Sequence, residues 1–339
     1  MSPDLRRKLF YSLALALILY VAFALWSDFN DLRAALQDFP WLWLIPVIAL
    51  TLFNYSARLL RWHWMLRGLL HVPIRLYDTM RIFGVGMLMV MTPGKAGELL
   101  KSYMIKNVTG TAMSVTAPTI VTERLIDGAA MLLLAGVGLF TYPDRTAQLV
   151  AAAVLAVFVA GVVVVQYRPL ALWFLGLGER TPGVKKFAHH LHAFYESTYI
   201  LFGPRNLLFL LVIGMACWAA EGMAYGIVLV GFGAPATPET IFTAVFIFNI
   251  STVIGAVLAL PGGLGGVEGS MIFWSRRLLG LTSAAATAAA LLTRFCTLWM
   301  GVGLGVVSFL LWPNLLAGAE SARAEQAVTA SDQFPVSSD

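Results

Sequence analysis

Long apolar runs separated by short polar interruptions dominate this chain. Runs that reach or approach the ~20 residues needed to cross a bilayer lie at 9–26, 41–58, 79–92, 117–141, 147–166, 206–231, 240–260 and 285–312. The interruption 27–40 carries Asp28, Asp31 and Asp38 against a single Arg33, whereas 167–205 carries Arg168, Arg180, Lys185, Lys186 and Arg205. The stretch between the first and third runs carries Arg58, Arg61, Arg67 and Arg75. Lys and Arg concentrate on the cytoplasmic side of span ends, so the N-terminus, 59–78 and 167–205 are expected in the cytoplasm. Arg6, Arg7 and Lys8 before the run 9–26 resemble the start of a signal peptide. The run is long and no small-x-small cleavage site follows it, so an uncleaved first span is expected. Residues 318–339 are rich in Ala, Ser, Glu and Gln without apolar periodicity, which predicts a disordered tail.

Two runs do not end as ordinary spans. One breaks into Thr92-Pro93-Gly94-Lys95-Ala96-Gly97-Glu98, the other into Pro261-Gly262-Gly263-Leu264-Gly265-Gly266-Val267-Glu268. Broken helix at membrane depth is tolerated only where protein or a watery cavity satisfies the freed backbone groups. Glu98 precedes Arg124 by 26 residues (124 − 98), and Glu268 precedes Arg294 by the same 26 (294 − 268). A diverged internal repeat follows, roughly 79–140 against 247–312. Paired Gly/Pro-interrupted segments point to a transporter's binding site. With each break as the tip of a returning hairpin, the two hairpins enter from opposite faces. The expected fold is all-α: six full spans plus two re-entrant helical hairpins in an inverted repeat, occupying residues 1–315 with both termini inside. Arg276 and Arg277 fall outside under this scheme, against the charge rule.

Composition agrees with a bilayer. Charged residues make up 12% of the chain, about half the roughly 25% of a soluble domain, and mean hydropathy is +0.79. The net charge of +5 does not signal nucleic acid, because the basic residues sit at span ends rather than in one stripe. Cys217 and Cys296 lie in apolar runs and read as buried free thiols. An ionisable residue inside a span costs about 2.5–3.5 kcal/mol on insertion scales and usually faces a cavity or a partner. Here the set is Lys95, Glu98, Lys101, Glu123, Arg124, Asp127, Glu221, Glu268 and Arg294. Glu123 and Asp127, four apart, share a helix face with Arg124 beside them. Structural ion pairs are one reading of these charges. Their clustering at two related breaks favours a polar cavity whose helix ends and cations bind an anionic group.

Other signals are weaker. Tyr55, Arg58, Arg61, Trp62 and Trp64 form an aromatic and basic band that reads by default as an interfacial anchor, with Arg58 and Arg61 also able to meet a lipid phosphate. His189, His190 and His192 lack accompanying carboxylate or thiol ligands and read as a solvated loop. Gly301, Gly303 and Gly305 suit close helix contact. No Ser-His-Asp set, HExxH or Walker motif occurs, so no metal, cofactor or ATP-driven pumping is expected.

Arg58-Leu-Leu-Arg61-Trp62, Pro93-Gly-Lys95-Ala-Gly97-Glu98 with Lys101, Glu123-Arg124-Leu-Ile-Asp127 and Pro261-Gly-Gly-Leu-Gly265-Gly-Val-Glu268 together resemble the lysylphosphatidylglycerol synthase transmembrane region family over about residues 5–315. In fused members of that family the domain resembles a flippase for an aminoacylated phospholipid, and a separate soluble domain makes the lipid. Only the short tail is expected beyond the last span, so the resemblance does not imply lysyl-phosphatidylglycerol synthesis. Many members carry Arg where this chain has Lys95, and Lys keeps the charge but not the bidentate geometry. The resemblance implies a bacterial inner-membrane transporter of an amphipathic lipid with a phosphate-bearing head group, such as a phospholipid, a polyprenyl-linked lipid or a hopanoid. Lys95, Arg124 and Arg294 are expected to bind the head group, Glu98 and Glu268 to gate or carry protons, and Glu123 and Asp127 to hold Arg124. Proton coupling would show as pH-dependent transport that vanishes in Glu98→Gln. A small-solute transporter, an intramembrane enzyme using the same charges for acid–base chemistry, and an accessory subunit of lipid or glycan synthesis remain the alternatives. Expected partners are the lipid itself, a second copy of the chain or lipid-synthesis enzymes.

Overall fold

The computed structural model describes residues 33, 35–92, 97–141, 145–179 and 188–316. The expected first span at 9–26, the break residues Pro93, Gly94 and Lys95, and the tail 318–339 lie outside the described residues. Every regular element within them is helical.

Helix α1 (Leu44–His63) is preceded by a 3₁₀ turn at Trp41–Trp43 and runs into a π-helical turn at Trp64–Leu69. Helices α2 (Leu76–Leu88), α3 (Leu100–Thr109) and α4 (Met113–Thr141) follow. Then come α5 (Arg145–Gln166), α6 (Arg168–Glu179), α7 (Ala188–Leu201) and α8 (Pro204–Gly231). The chain continues through α9 (Pro238–Val257), α10 (Gly266–Leu279) and α11 (Ser283–Arg294) to α12 (Met300–Leu311). A π turn at Phe295–Trp299 fuses α11 and α12 into one helix.

Length and composition let four helices cross a bilayer: Trp41–Leu69, Pro204–Gly231, Pro238–Val257 and Ser283–Leu311. The longest of these have 29 residues, about 44 Å at 1.5 Å per residue, which exceeds the ~30 Å hydrocarbon layer. Helix α4 is equally long at 29 residues but carries Glu123, Arg124 and Asp127 near its middle. Large apolar side chains such as Leu42, Phe242, Val257 and Leu310 project outward, the surface that lipid requires and water would penalise. The protein is thus an all-helical, multi-pass membrane protein.

Small residues set the helix spacing. A Cβ on Gly305 would stand 2.5 Å from the backbone nitrogen of Leu88, and one on Gly222 2.7 Å from Cα of Val245. Without those glycines α12 could not approach α2, nor α8 approach α9, at backbone distance. Gly303 meets nothing within 4 Å and takes no part in such contact.

The stretch 167–205 is not simply a polar interruption. It holds α6 and α7, tied together by Arg168 and Glu196 at 2.6 Å, and His189, His190 and His192 lie on α7 instead of in a loop. Helix propensity survives a polar sequence when one face can still pack, and Tyr195 of α7 is buried with its hydroxyl on the Val165 carbonyl. Among the described residues no group of three metal-ligating side chains forms.

Candidate functional site

The two breaks meet. At the first, the Thr92 hydroxyl donates to the Met89 carbonyl (2.7 Å) and accepts from the Gly97 N–H (2.9 Å), bridging the interruption. At the second, Gly262, Gly263 and Gly265 have φ of 61°, 69° and 80°, values that cost an L side chain roughly 1–2 kcal/mol per residue. A Cβ on Gly262 would stand 3.2 Å from the Met91 side chain, so the second break closes against the end of the first.

Behind each break the chain repeats a short construction. Helices α3 and α10 end in left-handed glycines, Gly110 and Gly280. Helices α4 and α11 then start at Met113 and Ser283 and deliver Arg124 and Arg294 back to Glu98 and Glu268. All four landmarks are separated by the same 170 residues (268 − 98, 280 − 110, 283 − 113, 294 − 124). The spacing of 26 seen in the sequence is realised as an ion pair in both places: Arg124 Nε to Glu98 at 3.3 Å and Arg294 Nε to Glu268 at 2.7 Å.

Around the first pair grows a buried charge cluster. Glu123 and Asp127, one turn apart on α4, are 1% and 2% exposed. Lys101 from α3 donates to Glu123 at 3.0 Å, Arg58 from α1 to Glu123 and Asp127 at 3.0 and 3.2 Å, and Arg61 to Asp127 at 2.7 Å. Arg124 lies 3.1 Å from Glu123 and 3.6 Å from Asp127. Burying such ions is tolerable only when each is paired and hydrogen-bonded, and the backbone makes the room. A Cβ on Gly86 would strike the Lys101 stem at 2.8 Å, and one on Gly214 would press on the Arg61 guanidinium at 3.1 Å. The Lys101 ammonium also sits 4.9 Å over the Trp62 ring.

This overturns the interfacial reading of Tyr55, Arg58, Arg61 and Trp62. Trp62 and Arg61 are fully buried, and Tyr55 donates its hydroxyl to the Thr297 carbonyl inside the π turn after Arg294. The band pointed inward because the carboxylates of α4 needed cations. Only Trp64 of that band keeps to a flank, against Phe209. At the second break, one of the helix-end donors expected for an anion is already taken. The Gly265 N–H at the start of α10 already donates to Glu268 at 2.7 Å, and Arg294 reaches the Gly262 carbonyl as well as Glu268.

Between the cluster and the second break lies a cavity of about 410 Å³. Arg58, Glu98, Lys101, Glu123, Arg124, Asp127, Glu221 and Arg294 give its polar wall. Met87, Val90, Met131, Leu260 and Leu298 are among the residues of its apolar wall, with Gly262 and Gly263 beside Arg294. Of the site residues expected from sequence, Arg61 and Glu268 stand behind this wall and the other described ionisable ones line it. Tyr55 and Trp218 line it too. Neither Trp218 nor any role for Tyr55 in the site was expected from sequence. A count of charges alone could have warned of missing cations, because Lys95, Lys101, Arg124 and Arg294 leave five carboxylates one cation short.

Two proteins from Methanothermobacter thermautotrophicus (strain Delta H), each described as a UPF0104 membrane protein, resemble the chain along most of its length. One is 25% identical over 312 residues, covering 82% of this chain and 88% of its own. The other is 25% identical over 324 residues, covering 88% and 92%. The family model for the lysylphosphatidylglycerol synthase TM region matches residues 10–305, a stretch that contains both breaks, both Glu–Arg pairs and the whole cavity wall. The chain belongs to the lysylphosphatidylglycerol synthase transmembrane region family.

Proposed function

We propose that this protein moves an amphipathic lipid with an anionic, phosphate-bearing head group across the membrane in which it sits. The observation that carries this reading is the cavity itself. Its lining joins a set of guanidinium, ammonium and carboxylate groups to apolar side chains, and both breaks contribute to it. Guanidinium groups suit phosphate because they present paired donors, and the apolar wall suits the first methylenes of a chain. Membership in a family named for lipid synthesis supports a lipid over a small solute.

On this reading the two breaks are re-entrant hairpin tips related by inversion, and the 170-residue recurrence is the trace of the repeat. Charge bias in the loops supports an orientation with both termini in the cytoplasm.

Native mass spectrometry of the gently purified chain tests the proposal, comparing wild type with Arg124→Ala. A stoichiometric lipid held by wild type and lost from the variant is the expected result. An empty wild-type protein, or the same lipid in both, would remove the support and return weight to a small solute or a purely structural cluster.

A further inference from the structure

The two Glu–Arg pairs are alike in spacing but not in how they are held. Glu268 uses both oxygens, one on Arg294 at 2.7 Å and one on the Gly265 N–H at 2.7 Å. Glu98 is equally buried, 2% exposed, and lines the cavity. Neither of its oxygens has a hydrogen-bond partner. Its cations stand at 3.3 Å (Arg124 Nε) and 3.9 Å (Lys101), and Arg124 Nε is itself buried without an acceptor aligned to it. A buried polar group lacking a directed bond has lost its water without gaining a partner in return. Glu98 and Arg124 forgo that bond with each other in a cluster that otherwise satisfies its carboxylates closely.

Among the described residues, the charges facing Glu98 come from three elements: Lys101 on its own segment, Arg124 on α4 and Arg58 on α1. Lys101 and Arg58 are each committed to Glu123 at 3.0 Å. Arg124 Nε is the donor that can change partner. Among the described residues of the cluster and its wall, Arg58, Arg61, Lys101 and Arg124 balance Glu98, Glu123, Asp127 and Glu221. Arg294 and Glu268 balance each other. A head-group anion that takes Arg124 Nε therefore competes with Glu98 for the same donor.

Resting on the lipid reading above, we propose that Glu98 is a displaceable internal anion. It holds the position at Arg124 that the head-group phosphate takes, so lipid binding and the Glu98–Arg124 pairing exclude each other. Glu268, fixed by the Gly265 N–H, has no such freedom, and the two related pairs thereby divide the work. One is a latch for the ligand and the other is scaffold.

The test uses the purified full chain and dihexanoylphosphatidylglycerol, a phosphodiester whose charge stays constant across the physiological pH range. Dihexanoylglycerol serves as the phosphate-free control and inorganic phosphate as the lipid-free one. Affinities are compared for wild type, Glu98→Gln, Glu98→Ala, Glu268→Gln and Arg124→Ala, with a melting curve of each variant. Removing the Glu98 charge should tighten binding of the phospholipid about tenfold or more in both Glu98 variants. Glu268→Gln should give no gain, and Arg124→Ala should lose binding. Wild-type binding that needs Arg124 but is unchanged or weakened in both Glu98 variants overturns the displacement and leaves the lipid reading standing. Inorganic phosphate binding as tightly as the lipid, with the same Glu98 gain, supports the displaceable anion and sinks the lipid reading. Absence of phospholipid binding in every form overturns both.

Discussion

Replacing Asp127 by Asn removes one charge from a buried carboxylate paired with three guanidinium groups. Its oxygens stand 2.7 Å from Arg61, 3.2 Å from Arg58 and 3.6 Å from Arg124, and its side chain is 2% exposed. In Asp127→Asn, Arg58 and Arg61 are left with Glu123, and Arg124 with Glu123 and Glu98, while the new amide points N–H donors at cations. Breaking a buried pair by removing one partner costs about 3–5 kcal/mol. Arg61→Met is milder, about 1.5–3 kcal/mol for one lost charge-assisted hydrogen bond, since Asp127 keeps Arg58 and Arg124. The double variant restores neutrality, so its loss should fall short of the sum of the single losses by about 1 kcal/mol or more. Thermal unfolding in a fixed detergent and lipid mixture, followed by tryptophan fluorescence, reads all three. At about 2–4 °C per kcal/mol, the Asp127→Asn midpoint should fall by roughly 6–20 °C. Additivity of the two single variants within about 0.5 kcal/mol, or an unchanged Asp127→Asn midpoint, would refute the claim that these charges hold one another.

The glycine contact between α12 and α2 should be intolerant of even one methyl. Gly305→Ala places a Cβ against the Leu88 backbone and should lose about 1–3 kcal/mol, whereas Gly303→Ala, with open space around it, should not, and equal melting shifts would argue against this packing. Arg294→Lys cannot hold Glu268 and the Gly262 carbonyl together as a fork. Amide hydrogen exchange at Gly263–Gly266 should then quicken about tenfold, and unchanged exchange would show that the second break is held some other way.

The membrane class, the two breaks and the inward charges were legible because each violates what lipid permits, and a violation is visible residue by residue. The spacing of 26 read only as the trace of a repeat, and the two ion pairs that span it came with the structure. The roles of Arg58 and Arg61 were not legible. An arginine beside tryptophan at a span end has an inexpensive interfacial explanation, and only the carboxylates of a helix some 65 residues later make the interior preferable. Likewise nothing local marks Gly86 and Gly214 as the spaces into which Lys101 and Arg61 fit, since such room exists only once two helices cross. The helices α6 and α7 were hidden because charge content was weighed over the burial of Tyr195.

The ion-pair partners of α4 also bear on how the chain is made. Three ionised residues at about 2.5–3.5 kcal/mol each make α4 a poor candidate to leave the translocon unaided. Yet Arg58, Arg61, Glu98 and Lys101, which pair with Glu123, Arg124 and Asp127, all precede α4 in the chain. The counter-charges are already synthesised and waiting when α4 emerges from the ribosome, so its entry into lipid is a docking step and the order of synthesis becomes an ingredient of the fold.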